Sequence, residues 1–214
     1  MKCVLCGSSK VEKYWEKVEK KRGKRVYFSC DECRLVFLAP EYRISAEAEK
    51  EIYMNHENSP EDEGYVQFLE QLIEPLTEKI ALGSCGLDFG SGPGPTLHTL
   101  MKKRGFFMEH YDPFFHPDTT LLEKKYDFIT STEAAEHFFS PLNEFQLLNR
   151  LLKEKGSILG VMTKVLTDEI HFPDWWYHRD PTHIVFYRRE TMAWIANSLQ
   201  WQLEEPRDNV FLFM

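Results

Sequence analysis

The chain has 214 residues, 43% hydrophobic and 14% aromatic, with a formal net charge of −8. That is enough apolar material for one ordinary core and a small appendage, and the acidic balance argues against the long phosphate track of a nucleic-acid enzyme while leaving room for a small basic patch. No apolar run approaches the roughly 18–20 residues of a membrane span, and the opening MKCVLCGSSK shows no signal-peptide core, so the expectation is a cytoplasmic protein with no membrane partner.

The charge is uneven. Residues 1–40 carry ten Lys or Arg against five Asp or Glu, and the remainder is strongly acidic. A break that sharp suggests separate modules: a ribbon over 1–40, a helical bridge or lid over 41–82 and a main domain over 83–214. Four of the five cysteines form two C-x2-C pairs, Cys3 with Cys6 in CVLC and Cys30 with Cys33 in CDEC. In a cytosolic chain such pairs favour a metal over disulfides. Four thiolates around a hairpin (KYWEKVEKKRGKRVYFS) make a zinc ribbon, and a closed S4 set leaves no open position for catalysis. The spacing does not separate zinc from iron. The basic turn, with Lys20, Lys21, Arg22, Lys24 and Arg25, reads either as a solvated hairpin tip or as a grip on an anionic substrate or partner. Cys85 reads as a buried apolar residue.

The bridge reads as helix over SAEAEKEIYMNHEN. After a loop, GYVQFLEQLIEPLTEKIA places Val66, Leu69, Leu72, Ile73, Leu76 and Ile80 on one face, with Pro75 expected to bend or interrupt it. Tyr53, Asn55 and His56 either pack against the main domain or form a lid over a ligand.

CGLDFGSG then reads as a short buried strand running into a glycine loop, with a helix starting near Pro95–Thr96 and stopping at Gly105. Gly90, Gly92 and Gly94 make G-x-G-x-G. A dinucleotide fingerprint wants its third glycine at position 95, which is Pro, and a Walker A loop wants a lysine that is absent. Asp88 inside the strand is costly to bury without donors or a positive ligand. FFMEHYD reads as the next strand, ending in Asp112, 20 residues after Gly92. A carboxylate there can take both hydroxyls of a ribose.

YDFITST is a third core strand, and Ser140–Pro141 opens a helix that stops at Gly156. SILGVMT is a further strand, RRETMAWIANSL a helix, and WQLEEP with NVFLFM a closing antiparallel pair. The insert TDEIHFPDWWYHRDPTHIVFY packs His171, Trp175, Trp176, Tyr177, His178, Arg179, Asp180 and His183 together. Its histidines and Asp180 match no zinc-enzyme spacing. His178 or His183 reads as a general base, or else His183 and Asp180 pin the loop while the tryptophans fill an apolar gap. Beside a role at the site, Glu136 reads equally as a solvated helix residue and His137 equally as a core histidine.

LDFGSGPG, YDP, YDFITSTEAAEHFFSP and LLKEKGSILGVMT, in that order, resemble the successive motifs of class I S-adenosylmethionine-dependent methyltransferases over roughly residues 60–214. The ribbon and RDPTHIVFY also resemble a group of bacterial ribbon-bearing methyltransferases. The resemblance implies an α/β, Rossmann-like, seven-stranded and mostly parallel sheet with helices on both faces, beside the N-terminal zinc ribbon. It implies that Asp88, Gly90, Ser91, Gly92 and Gly94 hold the methionine part of the cofactor, and that Asp112 takes the ribose. Pro113 and Phe114 would border the adenine, and Thr132 and Glu133 would reach the cleft. Glu133, Glu136 and His137 would border the transferred methyl group, so the catalytic candidates are His178, His183, His137 and Glu133. One departure is visible: between Asp112 and Tyr126 there is little room for a further strand and its helix. The expected acceptor is a small molecule, with a nucleic-acid or protein acceptor as the alternative, and oxygen or nitrogen favoured over carbon. The competing readings are a nicotinamide oxidoreductase, a non-catalytic zinc-ribbon adapter and an RNA-modifying enzyme.

Overall fold

The computed structural model describes residues 1–19, 23–55 and 58–214; Lys20, Lys21, Arg22 and His56 lie outside the described residues. Two sheets organise the chain. The larger is built from β4 (Cys85–Phe89), β5 (Phe107–Tyr111), β6 (Phe128–Thr132), β7 (Ile158–Met162), β9 (Leu203–Arg207) and β10 (Val210–Phe213), in the order β5-β4-β6-β7-β10-β9. β4 lies parallel to β5 and β6, and β6 parallel to β7. β10 is antiparallel to both β7 and β9. The inner parallel strands β4, β6 and β7 are short and almost wholly buried, as strands covered on both faces must be, while β5, at the edge, is only partly covered.

Seven strands were expected, and the described residues form six. The segment after Asp112 makes an isolated bridge between Asp112 and His116 and a single helical turn at Thr119–Glu123, then feeds directly into β6. A strand plus a returning helix needs more chain than residues 113–125 supply, so the sheet ends at β5.

Side chains alternate between the two faces. Phe128, Val210 and Leu212 meet α2 (Glu63–Thr77) and α3 (Thr96–Lys103) through Leu69, Leu72, Leu76, Leu97 and Met101. Ile129, Phe211 and Phe213 lie in the other cluster, with Phe145 and Leu148 of α4 (Pro141–Leu151) and Met192 and Ile195 of α5 (Arg189–Leu199). Pro75 is buried in the last turn of α2, and the helix ends two residues beyond it. Two glycines are set by space. A Cβ on Gly86 would sit 2.2 Å from the Phe128 ring, and one on Gly160 would sit 2.9 Å from Leu72.

The smaller sheet begins as the expected ribbon. β1 (Val11–Glu19) pairs antiparallel with β2 (Gly23–Cys30), and β2 with β3 (Val36–Leu38). Its fourth strand is β8 (Val185–Phe186), which comes from the insert after β7 and pairs with β3. Leu35–Leu38 are fully buried in the same cluster as Phe186 and Tyr187. The ribbon is therefore stitched into the main domain by backbone hydrogen bonds and a shared apolar core.

Two expectations are corrected here. Cys85 is exposed at the first position of β4, where its N–H donates to Asp127 at 2.9 Å. Arg25 does not project into solvent with the basic turn. It is buried, donates to the backbone carbonyl of His178 and lies over the Tyr27 ring. Among the described residues no helix is long and apolar enough to cross a membrane.

Candidate functional site

A cavity of about 500 Å³ opens at the carboxyl ends of β4, β5 and β6, the edge where parallel α/β sheets bind ligands. Strand order sets its layout. The ends of β5, β4, β6 and β7 present, in turn, Asp112, Gly90, Glu133 and Thr163. α1 (Ala46–Tyr53) with Glu49 and Tyr53, the start of α2 with Tyr65 and Phe68, and Asn58 between the two helices cover it. Two side-chain caps start these helices: Ser45 accepts from the Ala48 N–H, and Asp62 from the Tyr65 N–H. Tyr53 donates to Glu49 at 2.7 Å and packs on Phe114 and His137, which makes α1 part of the ligand wall. Asn55 is exposed and does not line the cavity.

The glycine loop leaves β4 through left-handed turns at Gly90 (φ +78°) and Gly92 (φ +65°), conformations that favour glycine. A Cβ on Gly90 would also sit 2.6 Å from the Ala134 Cβ. Ser91, Gly92, Pro113 and Phe114 line the cavity. Gly94 does not; a Cβ there would sit 2.4 Å from the Asn58 carbonyl, so this glycine admits the covering segment.

Asp112, buried to 7% exposure, accepts three backbone N–H groups: Gly92 at 2.9 Å, Phe114 at 2.8 Å and Phe115 at 3.1 Å. It ties the glycine loop to the end of β5; Oδ1 takes the two N–H groups of Phe114 and Phe115 and Oδ2 takes that of Gly92, so Oδ2 keeps a lone pair for a further donor. Asp88 sits beneath the cavity and does not line it. Among the described residues its one side-chain donor is Thr130 at 2.9 Å, and burial pushes its carboxyl up to about 7. The Thr132 Oγ1 is buried on the cavity wall and has no hydrogen-bond partner among the described residues. The open glycine loop, the carboxylate at the end of β5 and this unpartnered hydroxyl fit a ribose-bearing, S-adenosyl ligand.

At the β6–β7 side the cavity is lined by Glu133, Glu136, His137 and His183. Glu133 is left-handed (φ +48°) and its N–H donates to the Met162 carbonyl at 2.8 Å. Strain of this kind concentrates at ligand sites. Burial, with Glu136 adding to it, pushes the Glu133 carboxyl up to about 9. Glu136 is fully buried and accepts from the Tyr177 hydroxyl at 2.5 Å and the Thr163 hydroxyl at 2.8 Å. His183 Nδ1 meets the Tyr177 carbonyl at 2.8 Å, and His137 Nδ1 meets the Thr182 carbonyl at 3.0 Å. Burial holds the His183 imidazole below its ordinary value, which keeps it neutral.

His178 is corrected. It is buried outside the cavity, stacked on Phe172 and packed against Trp15 of the ribbon, with Nε2 facing the Pro173 carbonyl. The insert largely forms the joint with the ribbon: Phe172 packs on Tyr14, Trp15 and Tyr27, and Trp175 packs on Phe172 and Phe186. Trp176 is 58% exposed. Asp180 pins the turn before His183 by accepting from the N–H and hydroxyl of Thr182. Sequence reasoning missed Glu49, Tyr65 and Phe68 as wall residues. Tyr65 and Phe68 also pack against the core cluster of α2, so helical spacing alone does not separate wall from core.

The four ribbon thiols converge. Cys3 and Cys33 lie 3.5 Å apart at sulfur, as do Cys6 and Cys30, and all four sulfurs fall within 4.8 Å of one another. Tetrahedral bonds of about 2.3 Å put sulfurs about 3.8 Å apart, which these positions fit. The two knuckles are alike. Gly7 and Arg34 are both left-handed, and their N–H groups return to the carbonyls of Cys3 and Cys30.

Residues 61–205 match the family model described as a methyltransferase domain. Among solved structures, the chain is similar to a candidate sarcosine dimethylglycine methyltransferase from Galdieria sulphuraria, with a TM-score of 0.52 and 20% identity, covering 67% of this chain and 62% of that one. It is also similar to a protein from Pyrococcus horikoshii OT3, with a TM-score of 0.51 and 15% identity, covering 76% of this chain and 96% of that one. These likenesses speak for the fold. No curated protein matches the chain. With the family model spanning most of the sequence and the glycine loop, Asp112 and a ligand cavity in register at the carboxyl edge of the sheet, the chain belongs to the methyltransferase-domain family, as a class I S-adenosylmethionine-dependent methyltransferase.

Proposed function

We propose that the protein methylates an oxygen or nitrogen of a small acceptor seated at the Glu136–His137–His183 end of the cavity, and that its four cysteines hold a structural zinc. The observation that carries this reading is the division of one cavity into two chemically different ends. The β4–β5 end offers open glycine backbone, Asp112 and the Phe114 ring. The β6–β7 end offers two carboxyl groups, Glu133 and Glu136, and two imidazoles.

S-adenosylmethionine, when bound, supplies a methyl group on a positively charged sulfur that leaves as a neutral thioether, so the acceptor needs only a lone pair and a route for its proton. The chain's task is alignment and exclusion of water, and alignment alone contributes roughly 7–11 kcal/mol. Gly90, Ser91 and Gly92 would hold the methionine part, Asp112 the ribose hydroxyls, and Pro113 with Phe114 the adenine edge. Thr132 would supply its unpartnered hydroxyl. Glu133, His137 and His183 would face the acceptor, with His183 neutral at ordinary pH. α1, carrying Glu49 and Tyr53, would close the cavity over both ligands.

The test is methyl transfer from isotopically labelled S-adenosylmethionine to a panel of small hydroxyl and amine compounds, beside an RNA pool and a protein pool. Label in a small molecule supports the proposal. Label confined to RNA or protein overturns the acceptor class, and cofactor binding with no transfer to any pool favours the adapter reading.

A further inference from the structure

We propose that Glu136, His137 and His183 bind a divalent cation at the acceptor end of the cavity. One ligating atom from each lies within 4.8 Å of the other two. The three come from two separate segments, the helical turn Ala135–His137 and the stretch leading into β8. They line the cavity, so a cation there would keep positions open toward a ligand.

Hydrogen bonding has prepared each of them. A carbonyl oxygen only accepts, so His183 Nδ1, at 2.8 Å from the Tyr177 carbonyl, and His137 Nδ1, at 3.0 Å from the Thr182 carbonyl, each carry the ring proton. In the neutral rings both Nε2 atoms are then lone-pair donors. Anchoring the remote N–H on a backbone carbonyl is how metal-binding histidines are oriented. Two such rings, with centroids 4.8 Å apart, cannot hydrogen-bond to each other through Nε2. The carboxylate is oriented in the same way, by the hydroxyls of Tyr177 and Thr163. Among the described residues no lysine or arginine makes an ion pair with Glu136; the one basic side chain within ion-pair distance is the imidazole of His183, at 4.0 Å. A buried carboxylate needs a positive partner, and a cation on this cluster supplies one.

Two imidazoles and one carboxylate favour manganese, iron or cobalt in the divalent state over magnesium or calcium. This use of the site rests on the methyl-transfer reading: the cation would hold the acceptor through its oxygen and lower the proton affinity of that oxygen. The substrate class is narrowed accordingly, to an acceptor whose methylated hydroxyl, with or without a neighbouring oxygen, is itself a metal ligand.

The experiment is a manganese titration of the full-length, zinc-loaded chain, followed by the loss of the free Mn²⁺ electron paramagnetic resonance signal. Wild type is expected to take up one Mn²⁺ per chain while its zinc content stays constant. His137→Gln and His183→Gln are each expected to weaken that uptake about tenfold or more. Glutamine preserves a donor toward the backbone carbonyl in both, and circular dichroism checks that each variant is folded. No uptake by wild type up to millimolar Mn²⁺, or undiminished uptake by both folded variants, overturns the site. Calorimetry with S-adenosylmethionine on the same samples separates the two readings. Manganese uptake without cofactor affinity supports the cation site and removes the methyl-transfer role.

Discussion

The carboxylate of Asp112 accepts the backbone N–H of Gly92 at 2.9 Å, joining residues 20 positions apart in sequence. The bond fixes the glycine loop against the end of β5, so the side chain proposed to take the ribose also shapes the ligand cradle. Asp112→Ala removes three backbone partners at once. It is expected to cost about 1–3 kcal/mol of stability as well as the cofactor contact. Asp112→Asn keeps one acceptor oxygen and is expected to retain more of the stability than of the affinity. Thermal unfolding beside calorimetry reads the split; equal losses in both variants would remove the dual role.

Gly86 is set by packing. Gly86→Ala drives a methyl into the Phe128 ring, 2.2 Å away, and overpacking of this kind costs about 1–3 kcal/mol. The double variant Gly86→Ala, Phe128→Leu is expected to recover part of the loss in a denaturant titration. No recovery would mean that backbone strain, not ring contact, sets the cost.

Asp88 couples stability to pH. Its folded carboxyl sits at about 7 against an ordinary value of 3.8, chiefly through burial. Between those values the folded state holds a proton that the unfolded state has released, so stability falls as pH rises through the window and levels off above it. For a single group the slope is at most about 1.4 kcal/mol per pH unit. Asp88→Asn, which can still accept the Thr130 hydroxyl, is expected to flatten the profile between pH 4 and about 7. An unchanged profile in that variant would place the dependence elsewhere.

A zinc on the four cysteines, as proposed, is expected to steady the proposed acceptor end from a distance. β3 pairs with β8, which begins two residues after His183. Cys33→Ser, or removal of zinc by a strong chelator, is expected to raise hydrogen exchange across residues 183–187 before it affects β4 or β6. Exchange confined to residues 1–40 would show that the shared sheet does not transmit the loss.

Much of this was legible in the sequence, and the reasons for the rest are physical. Periodicity and turn chemistry placed β4 through β7, α4, α5 and the closing strand pair, because each is a local pattern of apolar spacing and glycine stops. The C-x2-C pairs named their own cluster. The glycine loop and Asp112 were readable because backbone conformation and strand length fix them. What failed was long-range. His178 looked like a base because three histidines crowd one insert, yet which of them faces the cavity depends on Trp15, Tyr27 and Phe172 meeting across the ribbon joint. β8, two residues long, is a strand only because β3 offers it an edge. The pairing of Glu136 with His183 spans 47 positions of sequence and carries no local signal.

The central claim is tested most directly by calorimetric titration of the folded, zinc-loaded protein with S-adenosylmethionine and with its demethylated product, beside the Asp112→Ala variant and with NADH as a control. The account predicts micromolar binding of both adenosyl ligands, lost in Asp112→Ala, and none of NADH. No binding of either adenosyl ligand to the folded wild type would contradict it.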